Sequence, residues 1–230
     1  MFFLLYIANN PIIPRPPSGD FCSFFLLYIT IFLGGYLIGS IPFGLLIGLS
    51  QGKDVRKEGS GNIGATNVTR VVGSKAGKLC FALDFLKGAI PITAIAISTK
   101  YGLISELEFA RIIALVAPVI GHMFPIWLKF KGGKGVATAA GAVLALAPCA
   151  CLIGLAIWVA FFYAFKYVSL ASIIAAAAVP IAAITLSVTR IQKLSITELI
   201  ILSLLCLVAI LRHTSNIKRL LNGTENRFSS

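Results

Sequence analysis

Long apolar stretches alternate with short polar ones through almost the whole chain. A helix rises about 1.5 Å per residue, so about 20 predominantly apolar residues cross the hydrocarbon of a bilayer. Segments of this kind run over residues 22–49, 79–98, 109–128, 149–166, 168–188 and 196–212. A seventh piece, 135–148, is shorter and rich in Gly and Ala, and Pro148 separates it from the next; it reads as a half-span or a closely packed helix. Counting it predicts an all-α, polytopic integral membrane protein with seven transmembrane helices. Residues 1–20 stand apart as an N-terminal extension. Their apolar run, Phe2 to Ala8, breaks at Asn9-Asn10-Pro11 and Arg15-Pro16-Pro17, with no basic residue ahead of it. That is not the pattern of a cleaved signal peptide, and the extension is expected to be poorly ordered or to lie in the interface. Residues 21–230 then form a single membrane-embedded domain.

Composition agrees. Of 230 residues, 58% are hydrophobic and only 12% charged, and the mean hydropathy is +0.94, far from a soluble domain with about a quarter of its residues charged. The formal charge of +12 reflects cytoplasmic loops rather than nucleic-acid binding, because cations in such a chain collect on the inner side. With seven crossings and the N-terminus outside, fourteen Lys and Arg fall on inside segments and five on outside ones, leaving aside Lys87 within a span. The C-terminus is then cytoplasmic. The five cysteines show no CxxC pair and only two histidines accompany them, so they read as small apolar fillers and no metal site is expected.

Two glycine-rich loops interrupt the apolar pattern on that inner side: Gly59-Ser60-Gly61-Asn62-Ile63-Gly64-Ala65-Thr66-Asn67-Val68-Thr69-Arg70 and Phe130-Lys131-Gly132-Gly133-Lys134-Gly135. Glycine lets backbone approach a ligand, and successive free N–H groups make a concavity suited to phosphate oxygens. Ser60, Asn62, Thr66 and Asn67 add neutral donors, and Arg70, Lys131 and Lys134 add charge. Gly132 and Gly133 precede a helix start, a place where anions bind. The run Gly73-Ser74-Lys75-Ala76-Gly77-Lys78 fails as a nucleotide loop, being one residue short and followed by Leu79. Inside the second span, Asp84 and Lys87 lie three apart on one face; they read either as an internal ion pair or as a lysine held toward a cavity. His213 and Asn216 are likewise three apart where the last span emerges. Together these features point to a phosphorylated substrate that meets lipid.

The stretches Ser60 to Arg70, Asp84-Lys87-Gly88 with Pro91, Gly121 to Ala137 and Arg212 to Glu225 together resemble the bacterial acyl-phosphate glycerol-3-phosphate acyltransferases of the PlsY type. The likeness runs from about residue 25 to 226 and includes the motifs GATN and FKGGKGVAT. It implies a seven-helix enzyme of the bacterial inner membrane that moves a fatty acyl chain from a long-chain acyl phosphate to glycerol 3-phosphate, giving lysophosphatidate and inorganic phosphate. It further implies a monomer that uses no cofactor, no metal and no acyl-CoA. Carried over by position, Ser60, Arg70, Lys134, His213 and Asn216 become the catalytic candidates. Asn62, Thr66, Asn67, Lys87, Lys131, Gly132 and Gly133 become the substrate-binding ones. One departure is visible: Ile63 stands where the family has proline, which removes a rigid φ and restores an N–H.

An acyl phosphate is already an activated anhydride, so attack by a hydroxyl mainly requires two anions to be positioned, the departing phosphate neutralised and an oxyanion stabilised. Arg, Lys and N–H groups suffice, with His213 and Asn216 orienting the hydroxyl, or His213 acting as base. The alternative is a membrane transporter of a phosphorylated solute, which would also use basic residues and broken helices but needs access from both sides.

Overall fold

The computed structural model describes residues 21–103 and 107–228; the proposed extension, 1–20, lies outside them. Ten α-helices follow one another among the described residues: α1 Phe21–Ser40, α2 Phe43–Ser50, α3 Ala65–Val71, α4 Ser74–Lys100, α5 Leu107–Met123, α6 Val136–Leu146, α7 Pro148–Phe165, α8 Val168–Val188, α9 Ile196–Leu211 and α10 Thr214–Leu221. A 3₁₀ turn, Ile126–Leu128, extends α5.

Among the described residues, five stretches are long and apolar enough to cross a membrane: Phe25–Ser50, Ser74–Lys100, Glu108–Leu128, Pro148–Phe165 and Val168–Val188. A sixth is the pair α9–α10, bent by 52°. The expected piece at 135–148 forms α6, whose 11 residues span only about 16 Å at 1.5 Å each. Its shortness has a local cause. Gly135 enters the helix at φ 82°, a left-handed conformation that glycine adopts without cost, and Pro148 starts the next helix at once. The first span also departs from a simple rod. Ile41 and Pro42 break it between α1 and α2, because Pro42 has no N–H with which to continue the ladder.

The central element is α5, with 56% of its apolar window buried against 11% for α7 at the periphery. Leu115, Val119 and Met123 of α5 pack with Ile92 of α4, Val143 and Leu146 of α6 and Leu202 of α9. Glycines set these approaches. A β-carbon on Gly88 would overlap the carbonyl of Thr138, and one on Gly141 would overlap that of Phe85, so α4 and α6 meet backbone to backbone. Gly39 lies in the same way against Pro118, and Gly121 against Tyr36, which joins α1 to α5. Small residues at crossings are how helices associate where lipid removes the hydrophobic driving force between them. The opposite faces carry Leu26, Ile29, Leu33, Leu86, Ile90, Leu152 and Leu155, all exposed, as lipid-facing surface requires.

Charges at one end of the bundle pair off. Arg111 Nη2 lies 2.9 Å from Glu198 Oε1, Ser195 Oγ donates to Glu108 Oε1 at 2.7 Å, and Ser195 with Glu198 forms a capping box at the start of α9. The other end gathers the two glycine-rich loops. Gly88→Val tests the backbone packing between α4 and α6: overpacking of this kind costs about 1–3 kcal/mol or more. We expect a melting temperature in detergent lower by several degrees, or loss of monodisperse protein, whereas Leu86→Val on the exposed face leaves both unchanged.

Candidate active site

The first loop, residues 51–64, is organised by one buried amide. Asn67 accepts from Ser60 N at 2.8 Å through Oδ1, and its Nδ2 donates to Val55 O at 2.8 Å, Asn62 O at 2.9 Å and Glu58 O at 3.2 Å. Gly59 packs directly on that amide. Asn62 Oδ1 then accepts from Gly64 N at 2.8 Å, a local turn. Ile63, the departure from the family's proline, is 4% exposed and packs with Leu45, Val55, Val68 and Cys80.

The second loop is clamped on both sides. Gly132 N donates to Met123 O and Gly133 N to His122 O, each at 3.1 Å, while Arg212 Nη2 donates to Gly133 O at 2.9 Å. These N–H groups are spent on the protein, so the loop is a close-packed strap and not the open concavity read from its glycines. Lys134, one residue before the Gly135 cap of α6, is the side chain it delivers. Lys134 Nζ donates to Asn216 Oδ1. Asn216 Nδ2 donates in turn to Glu225 Oε1 at 2.6 Å, and Glu225 also accepts from Ser169 Oγ at 2.8 Å and from Arg219 Nε at 2.7 Å. The tail folds back to bring Glu225 there: Phe228 N donates to Lys166 O at 2.8 Å and Arg227 Nε to Tyr167 Oη at 3.0 Å.

Between these parts lies a cavity of about 240 Å³. Eight of the twelve candidate residues line it: Ser60, Asn62, Thr66, Asn67, Arg70, Lys134, His213 and Asn216. The other four stand off its wall. Lys87 is 2% exposed, with its ammonium 2.7 Å from Asp84 Oδ1 and donating to Ile41 O at 2.9 Å; the ion-pair alternative is the one realised. Lys131 is exposed on the outside of the loop, and Gly132 and Gly133 form the strap. Sequence reasoning had not singled out Glu225, Arg219, Ser169 or Trp158, all on the wall. The visible signal was Glu225, an acid in an otherwise cationic tail.

The wall carries a surplus of positive charge. Asp84 is paired with Lys87, and Glu225 with Arg219 at 2.7 Å. Arg70 and Lys134 make no ion pair among the described residues. Burial pulls the Lys134 ammonium down to about 8, with Arg219, Arg212 and Arg70 adding to the shift and Glu225 opposing it. Glu225 is itself held below the ordinary range: burial would raise it, but the bonds from Asn216, Arg219 and Ser169 outweigh that. His213, 4% exposed, has Nδ1 at 2.8 Å from Ala209 O. A carbonyl can only accept, so Nδ1 bears the proton and Nε2 carries the lone pair in the neutral ring. The first turn of α6, with N–H groups that no helix can satisfy internally, closes the wall at Gly135, Val136 and Ala137. Phe81, Trp158, Val168 and Phe228 make one flank apolar.

A multi-span helical bundle with a one-ended, cation-rich cavity that has an apolar flank defines a class: membrane proteins that handle an anionic partner beside lipid. The chain narrows this further. Residues 29–223 match the family described as glycerol-3-phosphate acyltransferase. The glycerol-3-phosphate acyltransferase of Trichlorobacter lovleyi is 45% identical over 86% of this chain and 95% of its own length. That of Aquifex aeolicus is 44% identical over 88% and 98%. Two crystal structures of PlsY, an integral membrane glycerol 3-phosphate acyltransferase, superpose with TM-scores of 0.76 and 0.74 at 41% identity. They cover 88% of this chain and 96% of theirs; one is the glycerol 3-phosphate form, the other the lysophosphatidic acid form. The chain belongs to the glycerol-3-phosphate acyltransferase family of integral membrane proteins.

Asn67→Ala tests the first loop. It leaves three carbonyls and one N–H without their partner, at about 1–3 kcal/mol for each buried group that water cannot reach. We expect faster amide hydrogen exchange over residues 55–64 and at least a tenfold loss of acyl transfer, with exchange over α7 and α8 unchanged.

Proposed function

We propose that the cavity seats glycerol 3-phosphate and a long-chain acyl phosphate side by side, and that the chain joins them at the cytoplasmic face of the bacterial inner membrane. The chain acylates glycerol 3-phosphate, giving 1-acylglycerol 3-phosphate and inorganic phosphate, the first step of phospholipid synthesis. The observation that carries this reading is Lys134, held by the neutral amide of Asn216 and facing the same cavity as Arg70 and His213. Its position is secured while its charge stays available for phosphate oxygens.

In the reaction, a glycerol hydroxyl oxygen attacks the acyl carbonyl, a C–O bond to glycerol forms, and the C–O bond to phosphate breaks. Arg70 and Lys134 neutralise the two phosphates as negative charge grows on the departing one. The hydroxyl proton passes to the leaving phosphate oxygen, which is basic enough to take it. His213, with its Nε2 lone pair, and Asn216 orient the hydroxyl; His213 as the base is the rival assignment. Ser60, Asn62 and Thr66 on the wall supply neutral donors. The acyl chain extends past the apolar flank, where Phe81 and Trp158 border the cavity and Phe81 is 49% exposed.

Several features support seven crossings with the N-terminus outside. Residues after α2, after α5, at the first turn of α8 and after α9 all border the cavity, in keeping with an even number of crossings between each pair. On this reading α6 counts as the seventh crossing, a short one of 11 residues. The cavity end also carries Lys53, Arg56 and Lys57 in its first loop and Lys75 and Lys78 in the first turns of α4, in keeping with a cytoplasmic face. A transporter of a phosphorylated solute is disfavoured by the same geometry, since the described cavity residues cluster at one end of the bundle.

The direct test supplies purified protein with glycerol 3-phosphate and palmitoyl phosphate and measures phosphate release and lysophospholipid; palmitoyl-CoA is the control donor. Product from acyl phosphate alone is expected, and transfer from the thioester at an equal rate would reject the donor assignment. Arg70→Ala and Lys134→Ala are each expected to lower kcat/KM by about 10²-fold or more, the usual size of a lost charge contact to a reacting oxyanion or phosphate. Because Lys134 must be protonated and titrates at about 8, its contribution is complete below that value and lost above it. A rate profile in kcat/KM should therefore fall across an alkaline limb near pH 8 that is absent from Lys134→Ala.

A further inference from the structure

Two ionisable residues on the cavity wall, Asp84 and His122, are left without a task by this mechanism. Both are buried, 2% and 4% exposed, as is Lys87 at 2%. They form a chain of contacts that starts at the break in the first span. Lys87 Nζ donates to Ile41 O, a carbonyl at that break that also accepts from Phe43 N at 3.1 Å, and lies 5.5 Å over the ring of Phe43. The same ammonium is 2.7 Å from Asp84 Oδ1. Asp84 Oδ1 is 3.6 Å from His122 Nδ1, and Asp84 Oδ2 faces the Cys80 thiol at 3.6 Å. The chain ends on the second loop, because the imidazole of His122 lies directly against Gly133. A β-carbon on Gly133 would overlap Nε2 and stand 3.0 Å from both Cδ2 and Cε1. The residue after Gly133 is Lys134.

Desolvating both members of a buried ion pair offsets most of their attraction, so such a pair contributes little net stability; it does restrict direction. Lys87 is anchored to backbone at the break, Asp84 is anchored to Lys87, and the ring of His122 turns its Nδ1 edge toward Asp84. The ring in turn is the surface on which the strap rests, with Gly133 N tied to His122 O behind it and Arg212 holding Gly133 O in front. Rotation of the ring would lift or drop the backbone by the width of an imidazole edge, and Lys134 with it.

We propose that Asp84 and His122 are positioning residues for Lys134: the carboxylate sets the orientation of the imidazole, and the imidazole is the seat that fixes the height of the lysine loop. They act through Lys134 without touching substrate. The inference rests on the placement of Lys134 at the reacting phosphates.

A steric suppression experiment tests it. Gly133→Ala drives a methyl into the ring, and is expected to lower kcat/KM by about 10²-fold, the scale of a 1 Å misplacement. His122→Ala removes the ring and is expected to cost about tenfold by itself. The double variant should recover to the level of His122→Ala, because the methyl then occupies the vacated space. Gly132→Ala is the control: its β-carbon would meet the His122 carbonyl, Pro125 and the Met123 carbonyl, none of which His122→Ala removes, so no recovery is expected there. Losses that simply multiply in the Gly133 double variant, or equal recovery in the Gly132 one, would overturn the seat. Asp84→Asn decides separately, and also if an alanine variant does not fold: the folded, monodisperse fraction should lose at least tenfold in kcat/KM, and full activity in that fraction removes the orienting role. Lys134→Ala run alongside separates the two ideas, since full activity there defeats the placement of Lys134 whatever the suppression shows.

Discussion

A lysine can be held in place without its charge being cancelled, and the cavity depends on that distinction. Lys134 is bonded to the neutral oxygen of Asn216, and the carboxylate of Glu225 is one step further back, on the other end of the same amide. Had Glu225 met Lys134 directly, the pair would have been neutral toward an incoming phosphate. Interposing an amide keeps the geometry and leaves the field of the cation directed into the cavity, where a poorly screened environment strengthens it. The tail from Asn222 to Phe228 then has a physical purpose, since it carries Glu225 back against Ser169, Asn216 and Arg219.

The same economy governs the glycines. In a soluble phosphate loop, glycine exposes N–H groups to the ligand. Here Gly132 and Gly133 have theirs bonded to Met123 and His122, and what their missing side chains allow is close approach between a loop and a helix end. Gly88 and Gly141 do this between α4 and α6. In lipid, helices gain nothing from burying apolar surface against one another, so contact must come from shape. The cavity-facing donors are consequently side chains and a helix start, held by a scaffold whose tolerances are set at backbone contacts.

Much of the architecture was legible in the chain. The spans at 149–166 and 168–188 fall within one residue of α7 and α8, because a bilayer imposes a length and a composition that any reader of hydropathy can measure. The loops carrying Ser60 to Arg70 and Lys131 to Gly135, and the His213/Asn216 pair, were legible because polar residues with turn chemistry stand out against apolar flanks. Lys87 was ambiguous by its nature, since i,i+3 spacing to Asp84 allows both an ion pair and a cavity lysine. Its choice was made by Ile41 O, a partner 46 residues away. Glu225 and Ser169, 56 residues apart, gave no local sign that they would share a hydrogen bond.

Hydropathy, glycine placement and the sign of the loops are local properties, and from them the chain alone determined that it spans a membrane, where its polar segments lie and which residues could grip an anion. Which of those residues reach a common cavity was decided by tertiary structure. Lys131 and Lys134 differ by three positions in one loop, yet one faces outward and the other lines the site. The difference comes from a strap pinned between His122 and Arg212, contacts made across distances in sequence that no local pattern encodes.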